Sequence, residues 1–222
     1  MSKESTFESV VSKLSTNQKK FIVEVIGTFI VVVLATGSVV INAKFNGVLG
    51  LPFVAIGVYL FGKISMAHFN PAVSVGFLIT KHITRELIAL YLLAEIVGAL
   101  LASLFVSIVI GNESSLGANA PNYSYPLPLI FGIEVLASAL LMAVILTVVY
   151  TKGLKGFSGI AIGGIVGLDI LFLAFISGAS MNPARSLAPA LLSGVWTDLW
   201  LYWTATFVGT SVIALIYRKK FE

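Results

Sequence analysis

The chain has 222 residues, 58% of them hydrophobic and 11% charged, with a net charge of +4, a mean hydropathy of +1.00 and no cysteine. This composition excludes a soluble globular domain and describes a chain whose surface faces lipid. It also excludes a disulfide frame and thiol chemistry, and the basic residues, scattered at segment ends without interleaved aromatics, exclude a nucleic-acid surface.

Residues 1–20 are polar, carry Lys3, Lys13, Lys19 and Lys20, and read as a cytoplasmic N-terminal segment with no secretory signal. Apolar runs long enough to cross roughly 30 Å of hydrocarbon follow at about 21–42, 48–67, 87–110, 127–150, 157–177 and 199–217. Two shorter apolar segments, 71–80 and 183–192, lie between the second and third and between the fifth and sixth runs. Each is too short to span and the right length for a half-helix that enters the bilayer and turns back. Lys81, Arg85, Lys152, Lys155, Arg218, Lys219 and Lys220 share the side of both termini, which the positive-inside rule makes cytoplasmic. The connection 111–125 carries no Lys or Arg and lies opposite. Trp196, Trp200, Tyr202 and Trp203 read as an interfacial belt. The glycines spread through the spans, among them Gly27, Gly98, Gly132, Gly164 and Gly209, read as places of close helix crossing.

Both short segments begin with the same tripeptide, Asn70-Pro71-Ala72 and Asn182-Pro183-Ala184, 112 positions apart. Asn is a strong helix N-cap and Pro suits the first helical position, so each tripeptide predicts a helix starting in mid-membrane. Such starts are tolerated where the backbone lines a polar cavity. The halves repeat: FIVEVIGTF and FGIEVLASA put Glu24 and Glu134 at equivalent points. Three spans per half invert the second copy, so the two half-helix N-termini meet near the midplane with their positive dipole ends together.

HFNPAVSVG and SGASMNPARSLAPAL, in this double arrangement, resemble the two signature loops of the aquaporin or major intrinsic protein family over essentially the whole chain. The second loop, with Gly178-Ala179-Ser180-Met181 before the tripeptide, resembles the plant nodulin-like subfamily and its prokaryotic relatives. The resemblance implies an all-α membrane protein: a right-handed bundle of six transmembrane helices plus two re-entrant half-helices with an inverted internal repeat. Residues 21–222 would form one channel domain, with repeats at about 21–110 and 127–217, assembled as a homotetramer in the cell membrane.

The resemblance further implies a central constriction at Asn70 and Asn182, and a filter at Gly50, Ile170, Ala179 and Arg185. Water-selective members carry a bulky aromatic at the first filter position and a His at the second; here stand Gly50 and Ile170. A one-residue gap would put Leu51 in place of Gly50, and an irregular helix start would bring in Phe53. His68 matches a family histidine lining the cytoplasmic half of the pore. Glu24 and Glu134 match residues that hold the re-entrant loops through backbone hydrogen bonds; as intramembrane carboxyls they also read as proton relays. Asp169 reads as a loop partner or a vestibule residue, Glu95 as a helix or subunit contact, and His82 as solvated.

The expectation is therefore a passive channel for water and small neutral solutes such as polyols, urea or metalloid acids, excluding ions and protons. The chain offers no nucleophile, metal or nucleotide constellation, so no enzyme and no cofactor are expected. A strictly water-selective pore and, in another class, a proton-coupled transporter using Glu24, Glu134 or Asp169 are the alternatives. A closed structural or sensory protein is the third.

Overall fold

The computed structural model describes residues 12–41 and 51–221, and among them the regular structure is entirely helical. The spans are α1 (Thr16–Val40), α2 (Leu51–Ser65), α4 (Arg85–Phe105), α5 (Leu127–Tyr150), α6 (Ser158–Ser177) and α8 (Leu199–Phe221); the half-helices are α3 (Pro71–Ile79) and α7 (Pro183–Ser193). Five of the spans are long and apolar enough to cross a membrane, while the sixth is the shorter apolar stretch Pro52–Ser65. Helix α4 continues through a π-turn at Val106–Ile110, closed by the Gly111 N–H on the Val106 carbonyl at 2.9 Å.

Local chemistry sets the helix ends. Helix α1 starts at Thr16, inside the polar segment, because Ser15 and Gln18 form a reciprocal capping box, Ser15 N–H on Gln18 Oε1 at 2.8 Å and Gln18 N–H on Ser15 Oγ at 3.3 Å. Asn70 caps α3 by accepting from the Ala72 N–H at 2.9 Å, and Asn182 caps α7 by accepting from Ala184 at 3.0 Å and Arg185 at 3.3 Å. In both, Pro occupies the first turn, where its missing N–H costs nothing. At 1.5 Å per residue the half-helices are roughly 14 and 16 Å long, about half a bilayer.

The third span of each repeat packs on the first, α4 on α1 and α8 on α5. Gly98 makes the first crossing possible, since a Cβ there would lie 2.5 Å from the Val25 carbonyl oxygen. Gly209 does the same against Val135 at 2.3 Å. Gly132 and Gly164 face open space, so close crossing does not account for them. The repeats interlock: α3 of the first packs on α8 of the second, and α7 of the second packs on α4 of the first. Large apolar side chains such as Leu168, Leu171, Phe172 and Phe175 of α6 point outward, the pattern of a lipid-facing surface. The expected aromatic belt is corrected at one member. Trp196 and Trp200 are half exposed, but Tyr202 is buried, its hydroxyl donating to the Ser177 carbonyl at 2.6 Å.

Candidate pore and its constrictions

Two loops reach the middle of the bundle in unusual backbone. Met66, Ala67 and Phe69 in the first, and Gly178, Ala179 and Met181 in the second, all have φ between 43° and 89°. Non-glycine residues in that region cost on the order of 1 kcal/mol or more each, so the surroundings must hold them there. Two buried carboxyls do so. Glu24 of α1 accepts from the His68 N–H at 3.0 Å, the Phe69 N–H at 2.7 Å and the Ser65 hydroxyl at 2.6 Å. Glu134 of α5 accepts from the Ser180 N–H at 2.9 and 3.1 Å and the Met181 N–H at 3.3 Å. The repeat extends to the supports behind them: the Tyr91 hydroxyl donates to the Ser65 carbonyl at 2.7 Å, as Tyr202 does to Ser177.

The loops meet at the two Asn side chains, each of which bonds across to the other repeat. Asn70 Nδ2 donates to the Met181 carbonyl at 2.7 Å, and Asn182 Nδ2 donates to the Phe69 carbonyl at 2.9 Å. Both Oδ1 atoms cap their own half-helix, so one N–H per amide is left for the lumen. The positive ends of two helix dipoles converge on the same point.

A cavity of about 740 Å³ runs past this point. Its helical walls are apolar stripes at four-residue spacing: Val31, Ala35 and Val39 of α1, Val54 and Val58 with Gly62 of α2, Leu141, Ile145 and Val149 of α5, and Ile162, Val166, Ile170 and Ala174 of α6. Helices α4 and α8 contribute nothing to its lining. The loops and the start of α7 contribute the polar face, with His68, Asn70, Asn182 and Arg185 on the wall beside the apolar Ala179. Lys63, Lys155 and Tyr150 stand at the mouth on the side of the chain termini.

Among the sequence-predicted residues, Asn70, Asn182, Ile170, Ala179, Arg185 and His68 thus come together on one cavity, and Glu24 and Glu134 lie behind its loops. Gly50 lies outside the described residues, as does the Leu51 side chain. Phe53 is 47% exposed and outside the lining. Asp169 is buried, also outside the lining, and among the described residues its Oδ2 has no hydrogen-bond partner, so it is not a vestibule residue. His82 is not simply solvated: it stacks on Tyr150 with ring centroids 3.8 Å apart and its Nδ1 lies 2.7 Å from Thr80 Oγ1.

Two side chains, Asn119 and Asn122, escaped the sequence. Asn119, in the connection between α4 and α5, accepts from Arg185 Nη1 and from the Ser186 hydroxyl at 2.7 Å, while its Nδ2 donates to the Gly178 carbonyl at 3.1 Å. Asn122 donates from its backbone to the Ile176 carbonyl at 3.0 Å and from its side chain to Phe175 at 3.1 Å. With Tyr202 on Ser177, the carbonyls of residues 175–178 at the end of α6 all find donors, which a helix C-terminus cannot supply for itself. Glu95, expected as a helix or subunit contact, is a buried helix contact, accepting from the Ser74 hydroxyl of α3 at 2.6 Å.

A six-span inverted repeat with paired half-helices around a continuous cavity defines a membrane channel. The Major intrinsic protein family model matches residues 10–217, and the chain belongs to this family of membrane channels for water and small solutes. It is 37% identical over 206 residues to aquaporin NIP3-1 of Arabidopsis thaliana, covering 86% of this chain and 64% of that one. To nodulin-26 of Glycine max it is 32% identical over 210 residues, covering 90% and 77%. The solved structure of the aquaglyceroporin from Plasmodium falciparum matches 91% of this chain and 96% of its own, with a TM-score of 0.77 and 26% identity.

Proposed function

We propose that this chain is a passive channel conducting water together with small neutral solutes, of the class of polyols, urea or the hydroxylated acids of boron, arsenic and silicon, and excluding ions and protons. The observation that carries the reading is which residues share the cavity lining with Arg185. Ile170 and Ala179 line the cavity with it, and neither is an aromatic or an imidazole that would close the passage to the width of water. The first filter position implied by the family resemblance is Gly50, which has no side chain to add bulk. The likeness to a structure described as an aquaglyceroporin supports the same size class.

Arg185, the free amide N–H groups and the two dipole ends oppose cations, while the apolar stripes give an ion nothing to replace its hydration. At the Asn pair both side-chain oxygens are engaged, so a water there meets donors only and is oriented rather than linked into a proton wire. Glu24 and Glu134 act as loop supports. The channel works as a homotetramer in the cell membrane with both termini cytoplasmic, each subunit carrying its own pore.

The test is stopped-flow light scattering on vesicles containing the purified protein, comparing osmotic water flux with swelling in glycerol, urea and boric acid. Solute swelling that Gly50→Phe combined with Ile170→His abolishes, while water flux persists, is the expected result. Fast water flux without entry of any solute in the unaltered protein would sink the broad-filter reading and leave a water-selective channel.

A further inference from the structure

His68 stands on the cavity wall beside Asn70, held between the rings of Phe77, 4.4 Å away at 25°, and Tyr91, 4.6 Å away at 44°. Its Nδ1 lies 2.7 Å from Ser74 Oγ, and Ser74 in turn donates its hydroxyl to Glu95 Oε1 at 2.6 Å. A serine hydroxyl has one proton. Once that proton points to Glu95, Ser74 can only accept from the imidazole, and Nδ1 must carry hydrogen. The other nitrogen gives the same answer independently: Nε2 is covered and has no partner among the described residues. A covered N–H without an acceptor is rarer and costlier than an under-used lone pair. The second repeat has no such chain, since Ser180, Ser186 and Thr206 occupy the places of His68, Ser74 and Glu95, and Thr206 donates to the Tyr202 carbonyl of its own helix at 2.6 Å.

We propose that Glu95, acting through Ser74, is a positioning residue that fixes His68 as the Nδ1–H tautomer, so that its one N–H is engaged inside the protein and the wall beside Asn70 carries no imidazole donor. Which tautomer a histidine adopts is set by the partner of its other nitrogen, and here that partner is controlled by a carboxyl on α4, which takes no part in the cavity. The consequence for permeation rests on reading the cavity as the conduction path. In that path donors are concentrated at the amide pair and Arg185, and His68 does not compete with them for a solute oxygen. The tautomer itself does not depend on that reading.

The experiment is nitrogen NMR of histidine-labelled protein in lipid vesicles. The chain has two histidines, and His82→Asn leaves His68 as the single reporter. A protonated Nδ1 and a bare Nε2 are expected. Glu95→Gln, which keeps an acceptor for Ser74, retains that pattern; Glu95→Met frees the Ser74 hydroxyl and moves the population towards Nε2–H; Ser74→Ala leaves a mixture. An Nε2–H signal in the parent protein, or a tautomer indifferent to Glu95→Met, overturns the proposal. If Glu95→Met does not fold, the parent spectrum and Ser74→Ala still decide. Absence of all solute and water flux beside an Nδ1–H spectrum would count against the channel reading and leave the role of Glu95 intact.

Discussion

The Phe69 ring fills the place where Gly27 lacks a side chain: a Cβ on Gly27 would lie 1.9 Å from Phe69 Cε1. Gly57 flanks the same ring, with its own Cβ position 3.3 Å from Phe69 Cε2. Phe69 thus keys the first re-entrant loop into a notch between α1 and α2, directly before the capping Asn70. Gly27→Ala forces the ring out of a site with no slack, and such overpacking costs about 1–3 kcal/mol. Thermal unfolding in detergent should show the loss, whereas Gly132→Ala, in open space, should leave the midpoint unchanged or raised.

Removing a loop support should be worse than crowding one. Glu134→Ala strands the N–H groups of Ser180 and Met181 in a buried site, at about 1–3 kcal/mol for each buried donor left unpaired. Glu134→Gln keeps one acceptor and should lose less than the alanine variant. Denaturant unfolding of both variants, ranked the other way round, would show that the carboxyl is not what holds the second loop.

Asn119 touches the Arg185 guanidinium, its neighbour Ser186 and the Gly178 carbonyl together. Asn119→Ala releases the guanidinium towards the passage. Glycerol permeability should fall several-fold more than osmotic water permeability, with about 1–3 kcal/mol of stability lost from the unpaired groups. Equal losses for water and glycerol would mean that Asn119 supports the fold without shaping the filter.

On the exposed surface opposite the termini, the Tyr123 hydroxyl donates to the Asp198 carboxylate, and this bond raises the phenol above its ordinary value near 10. A group whose folded pKa is raised contributes its stability below the unfolded value, and that contribution fades as pH climbs through the folded one. The latch should therefore be intact at neutral pH and open only under strongly alkaline conditions. Asp198→Asn should bring the Tyr123 titration, followed by ultraviolet difference spectroscopy, back towards the ordinary phenol range; an unmoved titration would show that the bond does not form.

The spans, the half-helices and the inverted repeat were legible because each has a local signal: an apolar run of bilayer length, or Asn-Pro at a helix start. What escaped depends on partners distant in sequence. Asn119 sits in a stretch with no periodicity, and its three partners lie 59 to 67 positions further on. Glu95 in an apolar run advertises a buried carboxyl without saying which neighbour meets it. Tyr202 was open to a better reading. Tyr91 precedes it by 111 positions, the spacing that separates Gly98 from Gly209, and that internal equivalence assigns it to the interior rather than to the belt. The capping box that starts α1 at Thr16 was likewise in plain view as Ser15 and Gln18.

The crossed bonds of the two Asn residues impose an order on biosynthesis. When the first three spans have entered the membrane, the amide of Asn70 has no carbonyl to meet, because Met181 is still 111 residues away on the ribosome. The first half must wait with an unmet donor and an open groove along α4 where α7 will lie. Neither half can reach its final state as a separate polypeptide; co-expressed halves should recover flux that each alone lacks, and maturation should finish only after α8 has emerged.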